Sequence, residues 1–473
     1  MRQRTSRPQF PSVDAARVAE TWKRRVLLEE DWSQLLRDHM RAQLGHLRAQ
    51  LAGEPDVSAN ILANGTEQTC SIYDQPPTSI SGDKPLIDLM ERGGWWETAG
   101  QHERYVRALR ESLVFVGWDS ANQLPYYRLV TPDMVTIDPS PTNPTRPGVV
   151  WEASLRPIPD SPGELAWYWD RWTADSFQIW TGDRKRDVTA QFGDPVNLNR
   201  AAELKDEDGR PILRWALYHA AGGGAGIWRW AHNSEVSFGT LQVGLLWTAA
   251  VHGMLRASWD QRVILNGQVQ GGEVSRVGGT EIRTVTPDPT RIYSIKGEGA
   301  AIAAWGASID IEKAERFCRL YEARLAVHFG MSPADLVIES LNPASGASIT
   351  VSQTGKRRLA LREAPHFRRG DRELARITAA VARAHGVECS SAGWSARYPG
   401  VALTIDERAR LSPTILAELS AGLLDRTAAY QELHPGTDRA DAAADLEEFA
   451  LAAELAAAKA TATAGPGQGA SSA

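Results

Sequence analysis

Between residues 349 and 385 the chain sets Lys356, Arg357, Arg358, Arg362, Arg368, Arg369, Arg372, Arg376 and Arg383 against Glu363, Asp371 and Glu373. A basic helical stripe of this kind can face phosphates. It can equally be a surface or inter-subunit stripe that meets acidic partners. Phe367 alone brings an aromatic ring into the run, so base stacking is not indicated.

Other strings come near to chemistry and miss it. Ser352-Gln353-Thr354-Gly355-Lys356 resembles a phosphate-binding loop, yet it lacks the first glycine and the final hydroxyl residue and sits inside a helical pattern. Gly222–Gly226 follows a strand pattern but has no G-x-G-x-x-G register, and Trp228 and Trp230 crowd it; it reads as a flexible turn. The 10 histidines are scattered, with no H-E-x-x-H. His252 and His328 fall on helix faces, the usual place of a core or interface histidine. No G-x-S-x-G elbow is present. Cys70, Cys318 and Cys389 are too far apart for a disulfide framework or a zinc spacing, which points to a reducing compartment. Acidic pairs such as Glu29-Glu30 and Glu447-Glu448 read as solvated helix surface. No catalytic residue, cofactor site or metal site is expected from these patterns.

Composition bounds the rest. The 473 residues carry 52 basic and 58 acidic side chains, a net charge of -6, which excludes a generally basic nucleic-acid coat protein. Hydrophobic residues at 42% allow a substantial core. The most apolar stretch, Leu241–Leu255, is shorter than a membrane span and contains Gln242, Thr248 and His252, so no membrane crossing is expected. The basic N-terminus has no apolar segment behind it and does not read as a signal peptide. The 17 tryptophans suggest large apolar contacts, in the core or between subunits.

Periodicity supplies the elements that would position the stripe. Val18, Trp22, Trp32, Leu35, Leu36 and Leu44 predict one or two helices over 14–52. Residues 56–82 read as loop, and a helix is expected over 99–112. Short strand patterns then run from Leu113 to Tyr218, the mark of an α+β body with mostly antiparallel strands. A helix over 234–264 would be about 45 Å long. A small β unit (267–306) and a return helix (309–329) follow. The return helix shows Ile311, Ala314, Cys318, Tyr321 and Leu325 at steps of three and four. An irregular loop, 331–348, leads into the basic helix, where Pro365 predicts a kink. A strand within 386–403, short acidic helices over 406–460 and a low-complexity tail complete the chain.

This order resembles the portal proteins of tailed bacteriophages and gene transfer agents, over about residues 14–460. Leu129-Val130-Thr131-Pro132-Asp133-Met134-Val135 resembles the body strand that runs into a Pro-acidic-x-Val step. Arg324–Pro333 contains the Phe-Gly-hydrophobic-x-Pro pattern of the helix end before the portal tunnel loop. Gly422–Ala428 and Leu433-His434-Pro435-Gly436 resemble the family's C-terminal pattern.

The resemblance implies a wing (1–233 and 349–405), stem helices (234–265 and 306–330), a clip (266–305), a tunnel loop (331–348), a crown (406–460) and a disordered tail (461–473). It implies a virion protein, not an enzyme, assembled in the host cytoplasm. Twelve subunits would ring one capsid vertex, with double-stranded DNA passing through the centre without sequence reading. Its partners would be other copies of itself, the large terminase, the head–tail connector, the major capsid protein and a scaffold. In that frame Glu339, Asn342, Ser345 and Ser348 would line the channel, and Lys356, Arg357 and Arg358 would touch phosphates or a neighbouring subunit. The competing reading is an α+β enzyme without a recognisable motif; a large ring in solution, against a small oligomer, separates the two.

Overall fold

The computed structural model describes residues 2–3, 10–11, 14–29, 31–45, 54–159, 161–192, 204–221, 226–228, 235–258, 262–265, 268–269, 273–277, 280–284, 295–296, 301–304, 310–328, 346–398, 403, 405–434, 437 and 439–463. The fold is α+β, and the chain divides into two compact units. One comprises Met1–Glu30, Leu62–Ser234 and Ala326–Ala473; the other comprises Asp31–Ile61 and Glu235–Leu325.

The first unit is built on a strand that is buried on both faces. β3 (Glu111–Asp119) pairs antiparallel with β4 (Leu124–Val130) on one side and β9 (Trp215–His219) on the other. Side chains alternate across a strand. Val114 and Val116 therefore enter one core, and Leu113 and Phe115 enter a second. The second core is closed by a larger antiparallel sheet of β5 (Val135–Ser140), β6 (Asn143–Ile158), β7 (Ser161–Thr173) and β8 (Phe177–Thr181), with short β1 (Arg2–Gln3) parallel to β7. Trp172, Phe177, Ile179 and Trp215 fill it.

The first core is closed by helices. α4 (Lys84–Arg92), α5 (Trp95–Leu109) and the long α8 (Gly346–Ala384) bury Leu86, Trp95, Val106, Phe367, Leu374 and Ile377 there. α8 continues as one helix across Pro365. β16 (Ser395–Arg397) pairs with β2 (Ser79–Ser81) beside it. α1 (Ala15–Glu29) lies in this unit, as do α3 (Ile61–Thr69, all but its first residue), α9 (Ile405–Ser420), α10 (Arg426–Leu433) and α11 (Arg439–Thr463). Trp95, Trp169, Trp172 and Trp215 are all core residues, which places those tryptophans inside the subunit.

The second unit contains α2 (Ser33–Leu44), α6 (Glu235–Ser258) and most of α7 (Ile311–His328). Between α6 and α7 the strands pair as nested antiparallel couples: β10 (Arg262–Leu265) with β15 (Ala301–Ala304), β11 (Gln268–Val269) with β14 (Ile295–Lys296), and β12 (Glu273–Val277) with β13 (Thr280–Thr284). The three couples are nested in sequence, and each is a separate two-stranded sheet.

Several local expectations are corrected. The first long helix ends at Ser258, and 262–265 is a strand; Val263 and Ile264 are β-branched and favour the pleated backbone. The stretch read as loop contains α3, and α4 was not anticipated. α5 runs over 95–109, and Glu111 already belongs to β3.

Candidate functional site

The side chains expected to line a channel divide. Glu339, Asn342 and Ser345 lie outside the described residues, as does most of the 331–348 loop. Ser348 stands in the first turn of α8, because that helix begins at Gly346. Lys356, Arg357 and Arg358 follow about two turns later on the same helix, the first two half-buried and the third exposed.

Further along α8 two of the basic residues, Arg376 and Arg383, are engaged within the subunit. Arg376 pairs with Glu373 at 2.6 Å and Asp206 at 3.3 Å. Arg383 donates to the carbonyls of Cys389 (2.9 Å) and Lys205 (3.2 Å) and lies 3.6 Å from Glu207. The stripe therefore pins the 205–207 and 389–391 segments against the helix.

Two of the three acidic residues within the stripe are core groups, while Glu373 is half-buried beside Arg376. Glu363 and Asp371 are 1% and 0% exposed. Glu363 accepts the Ala221 N–H and meets Arg107 at 3.4 Å. Arg107 also reaches Glu103, whose carboxylate accepts the backbone N–H groups of Ser71, Ile72 and Tyr73 at 2.9–3.1 Å. Asp371 accepts hydroxyls from Tyr73 (2.8 Å), Tyr218 (2.7 Å) and Tyr398.

Desolvation raises the Asp371 carboxyl to about 6, although the three phenols pull the other way. Burial, followed by the Asp371 charge, holds the phenols well above their ordinary value, so they remain donors. His102 stands edge-on to Tyr218 with ring centroids 4.2 Å apart, and burial pushes its imidazole down to about 3. Neither of its nitrogens has a partner among the described residues. This cluster joins α5, β9, α8 and β16; its work is positional.

Sequence reasoning missed two anchors near the N-terminus. Arg17, buried in α1, donates to the carbonyls of Pro132 (2.7 Å) and Val135 (3.0 Å) and lies 3.7 Å from the Trp228 ring. Arg25 donates to Asp133 at 3.1 Å. The Pro-acidic-x-Val step is thus the seat of α1. Thr131-Pro132-Asp133 was the available signal, since a buried turn with exposed carbonyl lone pairs needs donors.

A cleft of about 870 Å³ opens in the first unit, between α8, the β5–β6 turn and the 206–215 segment. Arg146, Arg369 and Arg372 line it and are exposed.

In the second unit α6 is packed at two glycines. A Cβ on Gly239 would lie 2.4 Å from the end of Leu325 of α7, and one on Gly244 would lie 2.8 Å from Leu36 of α2. The Trp247 indole donates to Glu322 at 2.6 Å, and Thr248 receives the Asp56 N–H at 2.8 Å. Cys318 and Leu325 are buried on this side of α7. Phe317 and Leu320, on another face of α7, are 56% and 52% exposed. On α6, Phe238 and Val251 are exposed as well.

Among the described residues no group of His, Cys, Asp or Glu could hold a metal ion, and no helix is long and apolar enough to cross a membrane. No family model matches the chain, and no curated protein matches it. Among solved structures it is similar to a chain of the virion of a native gene transfer agent particle. The identity is 11% and the TM-score 0.38, covering 87% of this chain and 98% of that one. A likeness of this size assigns neither family nor role.

Proposed function

We propose that the chain is the subunit of a portal-type ring in a phage-like virion, through which double-stranded DNA enters and leaves the capsid. The observation that carries this reading is the second apolar face of α7. Cys318 and Leu325 are covered within the subunit, while Phe317 and Leu320 stand in water. Burying two such side chains is worth roughly 1.5–3 kcal/mol each. A second copy supplies the cover, with the exposed Phe238 of its α6 in the counter-surface. A contact between different faces of identical chains is heterologous, and it forms a ring when its rotation closes and a filament when it does not. The α6–strands–α7 order and the strings quoted for the resemblance support the same reading.

In that ring the stem is α6 and 306–330, the clip runs from the strand at 262 to 305, the tunnel loop is 331–348 and the crown 406–460. Glu339, Asn342, Ser345 and Ser348 face the passing duplex; Lys356, Arg357 and Arg358 touch phosphates or the adjacent subunit. A conduit must let DNA slide, so few tight phosphate contacts and no base reading suit it. Large terminase docks first and the head–tail connector later, with the major capsid protein around the ring and a scaffold during assembly. The motor's ATP chemistry resides in the terminase.

The test is assembly. Purified chain imaged by negative-stain electron microscopy is expected to show rings with a central hole. Compact particles with no ring across several salt concentrations would overturn the reading. In a packaging assay, unchanged DNA uptake by Glu339→Ala or Lys356→Ala would remove that residue from the channel.

A further inference from the structure

The cleft between α8 and the β5–β6 turn lies outside the elements assigned to the channel, and its charge is unbalanced. Its two lining carboxylates, Asp206 and Glu373, are both taken by Arg376. Arg210 is paired with Asp208 at 3.4 Å. Arg146, Arg369 and Arg372 have no carboxylate partner among the described residues. Arg369 and Arg372 are three residues apart on a helix, hence neighbours on one face.

A neutral donor is left over in the same lining. Trp215 is 2% exposed, and its indole N–H has no acceptor among the described residues. The permanently charged cations of the lining are all arginines.

We propose that this cleft binds a phosphate-bearing polyanion through Arg146, Arg369 and Arg372. The guanidinium fork matches phosphate oxygens two at a time, and a phosphate offers more charge and more acceptors than a carboxylate. Three arginines without carboxylate partners, spread along a cleft of about 870 Å³, suit a ligand that carries several phosphates in a row. Two sources share that chemistry: the backbone of a nucleic acid and a free polyphosphate chain. The proposal stands on the first unit alone and is independent of ring assembly.

The test uses full-length protein and fluorescence anisotropy of a short labelled DNA duplex, with inorganic tripolyphosphate and poly-glutamate as competitors. The variant is Arg369→Glu with Arg372→Glu; both positions are exposed, and an unchanged melting temperature confirms folding. The control is Lys185→Glu with Arg186→Glu, two exposed cations outside the cleft lining. Loss of two phosphate contacts is expected to weaken duplex binding at least about tenfold and to lower the slope of log K against log salt by about 2.

The control variant should bind like the parent. Duplex binding that depends on the two arginines assigns the nucleic-acid source. Arginine-dependent binding of tripolyphosphate, without duplex binding, assigns the free chain. Parent-like binding of both probes by the cleft variant, binding of neither probe by the parent, or competition by poly-glutamate alone overturns the proposal.

Discussion

Tyr218 donates its hydroxyl to Asp371 at 2.7 Å, and neither residue is more than 1% exposed. Tyr73 and Tyr398 close on the same carboxylate, so one acidic side chain ties the 73 region, β9 and the end of β16 to α8. A buried carboxyl is tolerable only when its lone pairs are filled, and three phenols do this without a cation.

The Asp371 carboxyl titrates near 6 in the folded chain against 3.8 in water, because burial disfavours its charge. The folded state therefore holds this proton more tightly. Its contribution to stability is complete below about 3.8 and is lost as pH rises through about 6. Melting temperatures of wild type and Asp371→Asn, compared from pH 4 to 7, should differ most at the acid end. A difference constant with pH would contradict this.

His102 has the opposite sign. Burial depresses its ring to about 3 from 6.5, so the folded state resists the proton that the unfolded chain accepts. This contribution is complete above 6.5 and is lost as pH falls toward 3. The advantage of wild type over His102→Phe should shrink on acidification. Between about 4 and 6 the two slopes oppose each other, and each variant unmasks the other residue's slope.

Gly370 sits in α8 directly under the Tyr218 ring; a Cβ there would lie 2.3 Å from ring carbons. Alanine gains up to about 1 kcal/mol of helix propensity. Overpacking against a ring fixed by Asp371 costs about 1–3 kcal/mol. Gly370→Ala should lower stability by urea denaturation, whereas Gly163→Ala, with nothing within 4 Å, should be close to neutral. A stabilised Gly370→Ala protein would mean that Tyr218 is free to move.

Arg17→Met keeps an apolar stem but removes both donors to the 132–135 turn and the contact with Trp228. Each lost hydrogen bond from a charged donor is worth about 1.5–3 kcal/mol. A loss of at least about 2 kcal/mol is expected in denaturant unfolding, with hydrogen exchange at Val135 accelerated. An unchanged exchange rate there would show that α1 does not hold the turn.

Much of the architecture was legible in sequence, and the reasons are local. α6 and α7 carry apolar spacing over many turns, and the strands from 113 to 218 carry alternation and turn residues between them. α3 and α4 are nine residues each, too short for periodicity to outweigh Pro76-Pro77 and the glycines beside them. Asp371 and Glu363 read as counter-charges of a solvated stripe because their true partners are remote: Tyr218 is 153 positions and Tyr73 298 positions away. Nothing in the local sequence distinguishes a carboxylate facing water from one facing three phenols. His102 carried no signal for the same reason. The cleft, too, is a product of tertiary packing, since Arg146 and Arg369 come together only when the β5–β6 turn meets α8.

Assembly tests the ring reading at its contact. Phe317→Asp with Leu320→Asp puts two charges on the exposed face of α7 and leaves Cys318 and Leu325 in place. The melting temperature of the subunit should change little, while large assemblies should give way to single chains.

The most direct measurement is the mass and shape of the purified wild-type protein, by native mass spectrometry with negative-stain imaging. The account predicts a closed ring, many times the 51.8 kDa of one chain, with a central hole. A monomer or small compact oligomer at every salt concentration would contradict it.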